Sequence, residues 1–176
     1  IDERTNILFK AAEVMAKATT ETIAVMSRDA GKTVAEADPE VAEAIDFARF
    51  YATTAQNFGE STPLGTILVV PPWNFPYAIP MGGVCAALAA GNTVILKPAP
   101  ETVATAWEIV SHLWAGGVPQ DVLQFLPMRD DENGKYLVTN PAIDGVILTG
   151  SFDTASLFTS WRPEINLLAE TSGKNA

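Results

Sequence analysis

An asparagine held between two prolines is the residue of this chain best suited to chemistry. Asn74 lies between Pro72 and Pro76, directly after an apolar run at residues 66–70. Each proline fixes its own φ and pushes the preceding residue toward extended geometry, so the intervening backbone has few conformations left. A stiff loop that presents an amide at the end of a strand can donate a hydrogen bond to a reacting oxygen. The alternative is a rigid turn in which the aromatic neighbours only pack.

Three further polar groups follow predicted strands. Lys97 leaves a buried run and is followed by two prolines, which favours a fixed cation beside a ribose or phosphate. Gly150 and Ser151 stand at a helix start, where close backbone approach and free N–H groups favour a pyrophosphate. Glu170 follows the last predicted strand. A surface lysine, an ordinary helix N-cap and a solvated acid are the alternatives at these positions.

The first third of the chain predicts a helical segment over residues 1–58. Apolar residues recur at intervals of three and four over residues 2–30 and again over residues 38–56. Gly31 is placed to end the first helix, and Asp38, followed by a proline and a glutamate, has the features of an N-cap for the second. A break near the paired threonines of the first helix is the alternative to one continuous helix.

The remainder, residues 59–176, predicts an α/β domain that begins with a linker at residues 59–63. Short β-rich runs without polar alternation alternate there with helical stretches, which predicts a Rossmann-like parallel sheet with helices on both faces. The predicted strands lie at residues 67–70, 93–96, 122–126, 146–148 and 165–168. The predicted helices lie at residues 77–90, 102–115, 132–139 and 153–160. Ligands bind such sheets at the carboxyl ends of the strands, where the polar residues above are found.

Composition and charge limit the partners of this segment. The chain has 176 residues, 48% of them apolar, and a formal charge of -10, which suits a globular domain with a substantial core. Because Lys and Arg are not clustered, we expect no nucleic-acid partner. The apolar stretch at residues 78–90 is interrupted and too short to span a bilayer, and no signal peptide is recognisable. We therefore expect no membrane span and a cytoplasmic location.

The single cysteine does not have the surroundings of a nucleophile. Cys85 lies among small apolar residues, which predicts burial and a raised thiol pKa. The presence of a single cysteine also excludes a disulfide within the chain. The charged run at residues 129–132 predicts a solvated loop, and we expect no metal site.

No G-x-G-x-x-G fingerprint occurs, so a dinucleotide site has to rest on a combination of motifs. Four motifs, in chain order, resemble those of the aldehyde dehydrogenase superfamily: Pro72-Trp73-Asn74-Phe75-Pro76, Lys97-Pro98, Thr149-Gly150-Ser151 and Glu170-x-x-Gly173-Lys174-Asn175. Within the superfamily, residues 36–52 and 170–175 are most similar to the L-glutamate γ-semialdehyde (1-pyrroline-5-carboxylate) dehydrogenases of proline catabolism. The resemblance covers nearly the whole chain.

This resemblance implies NAD(P)-dependent oxidation of an aldehyde to an acid through a thioester. A cysteine thiolate would add to the carbonyl, Asn74 would hold the oxyanion, hydride would leave to the nicotinamide, and Glu170 would activate the hydrolytic water. The cofactor would be NAD, with NADP as the alternative. The resemblance implies that Lys97 lies at the ribose, Gly117 near the adenine, and Gly150 and Ser151 at the pyrophosphate. The full set of cofactor-binding residues that it implies is Pro72, Trp73, Lys97, Gly117, Gly150, Ser151 and Thr171.

The chain departs from the family's pattern in three respects. The ribose-binding glutamate usual three residues after Lys97 is replaced by Pro100, with Glu101 one place on, so the choice between NAD and NADP stays open. Ala155 and Asp121 stand where glycines are common. The family's nucleophilic cysteine lies downstream of the last motif, so the resemblance implies a catalytic cysteine domain that these residues lack. We expect the chain alone to be inactive.

Two alternatives remain at this stage. One is an aldehyde dehydrogenase with another substrate, such as a succinate-semialdehyde or acyl-CoA-forming enzyme. The other is a non-catalytic nucleotide-binding module that keeps the sheet and lacks the chemistry. For the intact enzyme, the resemblance implies a small aldehyde substrate, a homo-oligomer, and a fused or partnered proline dehydrogenase.

Overall fold

The structure is a computed structural model that describes residues 2–57 and 62–172. Most of the predicted linker at residues 59–63 lies outside these ranges, as do Gly173, Lys174 and Asn175 of the last motif. Within them the helices are α1 (Asp2–Asp29), α2 (Val34–Asn57), α3 (Ala78–Ala89), α4 (Val103–Ala115), α5 (Glu132–Thr139) and α6 (Phe152–Trp161). The strands are β1 (Thr66–Val70), β2 (Thr93–Leu96), β3 (Leu123–Phe125), β4 (Gly145–Gly150) and β5 (Leu167–Thr171).

The five strands form one parallel sheet in the order β3-β2-β1-β4-β5. The chain builds outward from β1 to β3 on one side and then crosses to β4 and β5 on the other. The order of the strands therefore reverses between β1 and β4, which leaves a crevice outside their carboxyl ends. The predicted Rossmann-like sheet with helices on both faces, preceded by a helical segment, is confirmed.

The two faces of the sheet are covered unequally. One face, here called the four-helix face, carries α3 and α4 directly, and α1 and α2 pack on those two helices. Its core includes Ile67 and Val69 of β1 together with buried residues from all four helices. The other face, here called the two-helix face, carries α5 and α6 over Leu68, Val146 and Leu148. Successive residues of a strand point to opposite faces, which explains why Leu68 belongs to a different core from its neighbours.

The helical segment differs from its prediction in two places. Helix α1 is unbroken, because the Thr19 hydroxyl donates to the Met15 carbonyl one turn back instead of interrupting the helix. Helix α2 begins at Val34 and not at Asp38. The Glu36 carboxylate accepts hydrogen bonds from the Thr33 N–H at 2.9 Å and the Thr33 hydroxyl at 2.8 Å. This contact between N-cap and third helical residue starts the helix a turn before the expected cap.

The last two strands run further than predicted. Strand β4 includes Gly150, and β5 includes Glu170 and Thr171, which were expected to follow the strands. Parallel pairing continues through these polar residues, and the Ser172 N–H donates to the Gly150 carbonyl at 3.0 Å. Backbone pairing needs no apolar side chain, so the ends of the hydrophobic runs were a poor guide to the ends of the strands.

No helix within the described ranges is long and apolar enough to cross a membrane.

Candidate functional site

A cavity of about 1070 Å³ opens at the carboxyl ends of β1, β4 and β5. It lies at the reversal of strand order, where ligands bind in sheets of this type. Eight of the residues that the sequence singled out line it: Pro72, Trp73, Asn74, Lys97, Gly150, Ser151, Glu170 and Thr171.

Gly117 does not join them. It follows α4 and precedes β3. It therefore lies at the amino ends of the strands, whereas the cavity lies at their carboxyl ends. Its N–H donates to the Trp114 carbonyl at 3.0 Å, and a Cβ added there would lie nearest Ile7 of α1. Its φ of +110° favours glycine, so the turn at the end of α4 explains this residue without a ligand.

The Asn74 loop stands out into the cavity on a fixed base. Asn74 is exposed, and its neighbours Trp73 and Phe75 are 61% and 47% exposed. Directly after the loop, Pro76 and Tyr77 are buried, and α3 begins. Helix α3 packs closely between α2 and the sheet. A Cβ on its Gly82 would lie 3.2 Å from the Phe47 ring of α2, and one on Gly83 would lie 3.1 Å from Val69 of β1.

A buried carboxylate from α2 holds the start of α3. Glu40 is 2% exposed, and its Oε1 accepts hydrogen bonds from the N–H groups of Tyr77 at 2.8 Å and Ala78 at 3.2 Å. Its Oε2 pairs with the Lys32 ammonium, which also lies 4.4 Å from the centre of the Phe75 ring. Sequence reasoning placed Glu40 in the first turn of a helix and missed this contact, because the partners lie 37 residues apart.

Lys97 is 6% exposed, and its ammonium contacts the carboxylate of Asp130 in the loop before α5. A buried cation at the end of β2 matches the fixed presentation that the sequence predicted. Its partner was not predicted. Among the described residues lining the cavity, the carboxylates are Glu101, Asp130, Asp131, Glu132 and Glu170, and the ammonium groups are Lys97 and Lys135. Acidic groups therefore outnumber basic ones at this end of the sheet.

The N-terminus of α6 opens onto the cavity. Ser151 is the N-cap, since its hydroxyl oxygen accepts from the Thr154 N–H at 3.0 Å. The N–H groups of Phe152 and Asp153 precede the first intrahelical hydrogen bond and have no carbonyl partner within the helix. A Cβ on Gly150 would meet only Leu148, at 3.7 Å, so this glycine leaves open space over the strand end. Such an end attracts anions through its free N–H groups and the helix dipole.

Glu170 and Thr171 reach the cavity from β5. Their backbones pair in register with Thr149 and Gly150 of β4, so the exposed Glu170 side chain starts from a fixed strand. A carboxylate in this position can accept a proton from a water molecule in the cavity.

An apolar slot, which the sequence did not reveal, lies between α5 and α6. It is lined by Leu137 and Val138 from α5 and by Leu157, Phe158 and Trp161 from α6. The Phe158 and Trp161 rings stack with their centres 5.7 Å apart. Ligand sites combine such apolar walls with a few placed polar groups. Aliphatic and aromatic side chains from both helices thus form the walls of the slot.

Cys85 takes no part in the cavity. It is fully buried in α3, and burial raises the pKa of its thiol to about 12. The thiolate is the nucleophilic form, so the predicted exclusion of this residue from the chemistry agrees with its surroundings. Within the described ranges, no group of three His, Cys, Asp or Glu residues is placed to hold a metal ion.

Comparison with known proteins identifies the relatives of this chain. The profile of the aldehyde dehydrogenase family matches residues 1–176. The bifunctional protein PutA of Escherichia coli (strain K12) is 41% identical over 186 residues, which cover 99% of this chain and 14% of that protein. The 1-pyrroline-5-carboxylate dehydrogenase of Anoxybacillus flavithermus (strain DSM 21510 / WK1) is 40% identical over 165 residues, covering 85% of this chain and 32% of that enzyme.

Solved structures agree with these matches. Proline utilization A (PutA) from Corynebacterium freiburgense superposes with a TM-score of 0.94 at 47% identity, over 98% of this chain and 18% of that one. A variant of Thermus thermophilus 1-pyrroline-5-carboxylate dehydrogenase gives a TM-score of 0.91 at 33% identity, over 98% and 38%. The chain thus spans well under half the length of these relatives. With a family match over its full length and this fold, the chain belongs to the aldehyde dehydrogenase family.

Proposed function

We propose that this chain forms the dinucleotide-binding part of an NAD-dependent L-glutamate γ-semialdehyde dehydrogenase. The observation that carries the proposal is the cavity at the reversal of strand order, where the Asn74 loop, the α6 N-terminus and Glu170 meet. Several relatives carry the name 1-pyrroline-5-carboxylate dehydrogenase, which supports this substrate over the other semialdehydes. The name bifunctional protein PutA supports a proline dehydrogenase fused to, or partnered with, the intact enzyme.

The residues present fit a dinucleotide. The slot between α5 and α6 would take the adenine, Lys97 the ribose, and the free N–H groups behind Gly150 and Ser151 the pyrophosphate. Backbone at Pro72, Trp73 and Thr171 would line the path toward the nicotinamide. When bound, the nicotinamide supplies a hydride acceptor.

We infer a preference for NAD over NADP from the charges around Lys97. Its ammonium is already paired with Asp130, and Glu101, Asp131 and Glu132 also line the cavity. A ribose 2′-phosphate would add negative charge among these carboxylates, whereas free ribose hydroxyls can donate to them.

The chain's own residues contribute two steps to the chemistry. Asn74 donates a hydrogen bond to the aldehyde oxygen as negative charge develops on it, which lowers the barrier to nucleophilic attack. Glu170 takes a proton from the water that releases the acid. Because the only cysteine of the chain is buried in α3, the proposal assigns the nucleophile to another part of the protein.

The test is NADH formation, followed at 340 nm, by the longer protein that contains this segment. We expect oxidation of L-glutamate γ-semialdehyde to exceed that of succinate semialdehyde, and NAD to be used in preference to NADP. The 176-residue chain alone is expected to give no turnover. Faster oxidation of succinate semialdehyde would overturn the substrate, and absence of NADH with every aldehyde would favour a non-catalytic module.

A further inference from the structure

Two carboxylates on the outer helices of the four-helix face have the same structural role. Asp29 of α1 accepts hydrogen bonds from the Thr105 N–H at 2.7 Å and the Thr105 hydroxyl at 2.8 Å, which caps α4. Glu40 of α2 caps α3 by accepting hydrogen bonds from two backbone N–H groups, those of Tyr77 and Ala78. Neither Tyr77 nor Thr102, the N-cap residues of these helices, provides a side-chain cap of its own. A buried cap that restrains a helix start also restrains the residues just before it.

Only one of these caps lies directly behind the Asn74 loop. The N–H groups bound by Glu40 belong to Tyr77 and Ala78, three and four residues after Asn74. Thr105, bound by Asp29, belongs to α4 and follows the segment that carries Glu101 instead. The two carboxylates therefore form a pair of caps that differ in proximity to Asn74.

Lys32 extends the restraint to the other side of the loop. Its ammonium, mostly buried, pairs with Glu40 and faces the ring of Phe75, the residue next to Asn74. A cation over an aromatic face is attracted to it, more strongly where both are shielded from water. The Lys32 ammonium thereby restrains the Phe75 ring, while Pro76 and the capped N–H groups restrain the backbone that follows it.

We propose that Glu40, together with Lys32, is a positioning residue for Asn74. The pair fixes the backbone after the asparagine and the ring beside it, so that the exposed Asn74 amide keeps one orientation toward the reacting oxygen. This inference rests on the proposed function of Asn74 as an oxyanion donor. Small displacements of a catalytic group lower the rate strongly without a comparable loss of ligand binding.

The kinetic test compares Glu40→Gln with Asp29→Asn in the longer, active protein. Gln keeps an acceptor for Tyr77 and Ala78 but loses the charge that holds Lys32. We expect kcat to fall about tenfold in Glu40→Gln and about a hundredfold in Glu40→Ala. The Kd for NAD should stay within about twofold, since the groups that would bind it are unchanged. Lys32→Met, which removes the ammonium from Phe75, should resemble Glu40→Gln, and Asp29→Asn should keep the wild-type kcat.

A second measurement does not depend on turnover. Incorporated 5-fluorotryptophan gives a 19F signal for Trp73, which is next to Asn74 and can be assigned by its loss in Trp73→Phe. We expect this signal to shift or broaden in Glu40→Gln and Lys32→Met, and to be unchanged in Asp29→Asn.

The outcomes separate the two proposals. Loss of kcat and a changed Trp73 signal in the Glu40 and Lys32 variants, but not in Asp29→Asn, would support positioning. Unchanged kcat and an unchanged Trp73 signal in Glu40→Gln and Lys32→Met would overturn it, as would equal losses in Asp29→Asn, because the carboxylates would then be merely structural. If the wild-type protein oxidises no aldehyde, the proposed function fails, and the 19F comparison still decides whether Glu40 orders the loop.

Discussion

The two faces of the sheet start their helices in different ways. On the two-helix face, α5 and α6 are capped by the residues directly before them, Asp131 and Ser151. On the four-helix face, α3 and α4 receive their caps from Glu40 and Asp29, which belong to the outer helices. A local cap stabilises one helix, whereas a distant cap also joins two helices.

The two faces also contribute different parts of the cavity. The Asn74 loop leads into α3 on the four-helix face, where a distant cap and a large core hold it. The apolar slot and the N-terminus of α6, which we propose bind the adenine and the pyrophosphate, belong to the two-helix face. Orientation of a reacting group needs tight restraint, while nucleotide binding needs an open, complementary wall. In this proposal the helical segment over residues 2–57 restrains the Asn74 loop without lining the cavity.

Removal of the amide donor should have the largest effect. In Asn74→Ala, kcat should fall by about 10²- to 10³-fold, because a preorganised donor to an oxyanion contributes about 3–4 kcal/mol. The Kd for NAD, measured by calorimetry, should remain close to that of the wild type. Equal losses in kcat and NAD affinity would contradict the assignment of Asn74 to the oxyanion.

Loss of a distant cap should destabilise more than loss of a local one. Asp29→Ala removes a charged acceptor of two hydrogen bonds and should lower the free energy of unfolding by about 2 kcal/mol. Ser151→Ala removes one cap and should lower it by about 1 kcal/mol. Urea denaturation followed by fluorescence measures both. A larger effect of Ser151→Ala would remove the distinction between the faces.

Part of this organisation could be predicted from the sequence. The parallel sheet followed from alternating strand and helix patterns, and Ser151 could be recognised because a cap acts on its own helix. The start of α2 was also visible, since Thr33-x-x-Glu36 is a capping-box spacing that was overlooked. Glu40 could not be assigned in this way. Its partners lie in another helix, so only the folded packing of α2 on α3 brings them together.

A neutralised Asp130 should weaken the preference for NAD. In Asp130→Asn, Lys97 loses its charged partner, and the affinity for NADP relative to NAD should rise by roughly tenfold, or about 1.4 kcal/mol. Asp121→Asn makes the same change in net charge away from the cavity and serves as the control. A ratio of Kd values that moves equally in both variants would show only a long-range charge effect.

Among these variants, substitution of the buried His112 should change the free energy of unfolding least. It lies 2.9 Å from the Tyr77 hydroxyl, and burial lowers the pKa of His112 despite the opposing charge of Glu21. The unfolded chain then takes up a proton below about pH 6.5 that the folded chain resists. This contribution to stability is present above that pH and is lost as the pH falls below it. The stability of His112→Gln should therefore approach that of the wild type between pH 7.5 and 5.5.

Every role proposed for this chain requires that the cavity at the strand ends binds a dinucleotide. Gly150 tests this directly, because it lies on the same face of β4 as Leu148, and a Cβ there meets the protein only at an ordinary 3.7 Å contact. In Gly150→Val, calorimetric titration of the longer protein with NAD should show a Kd increased by at least about tenfold, with an unchanged thermal midpoint. An unchanged Kd in this variant would contradict the placement of the pyrophosphate at α6.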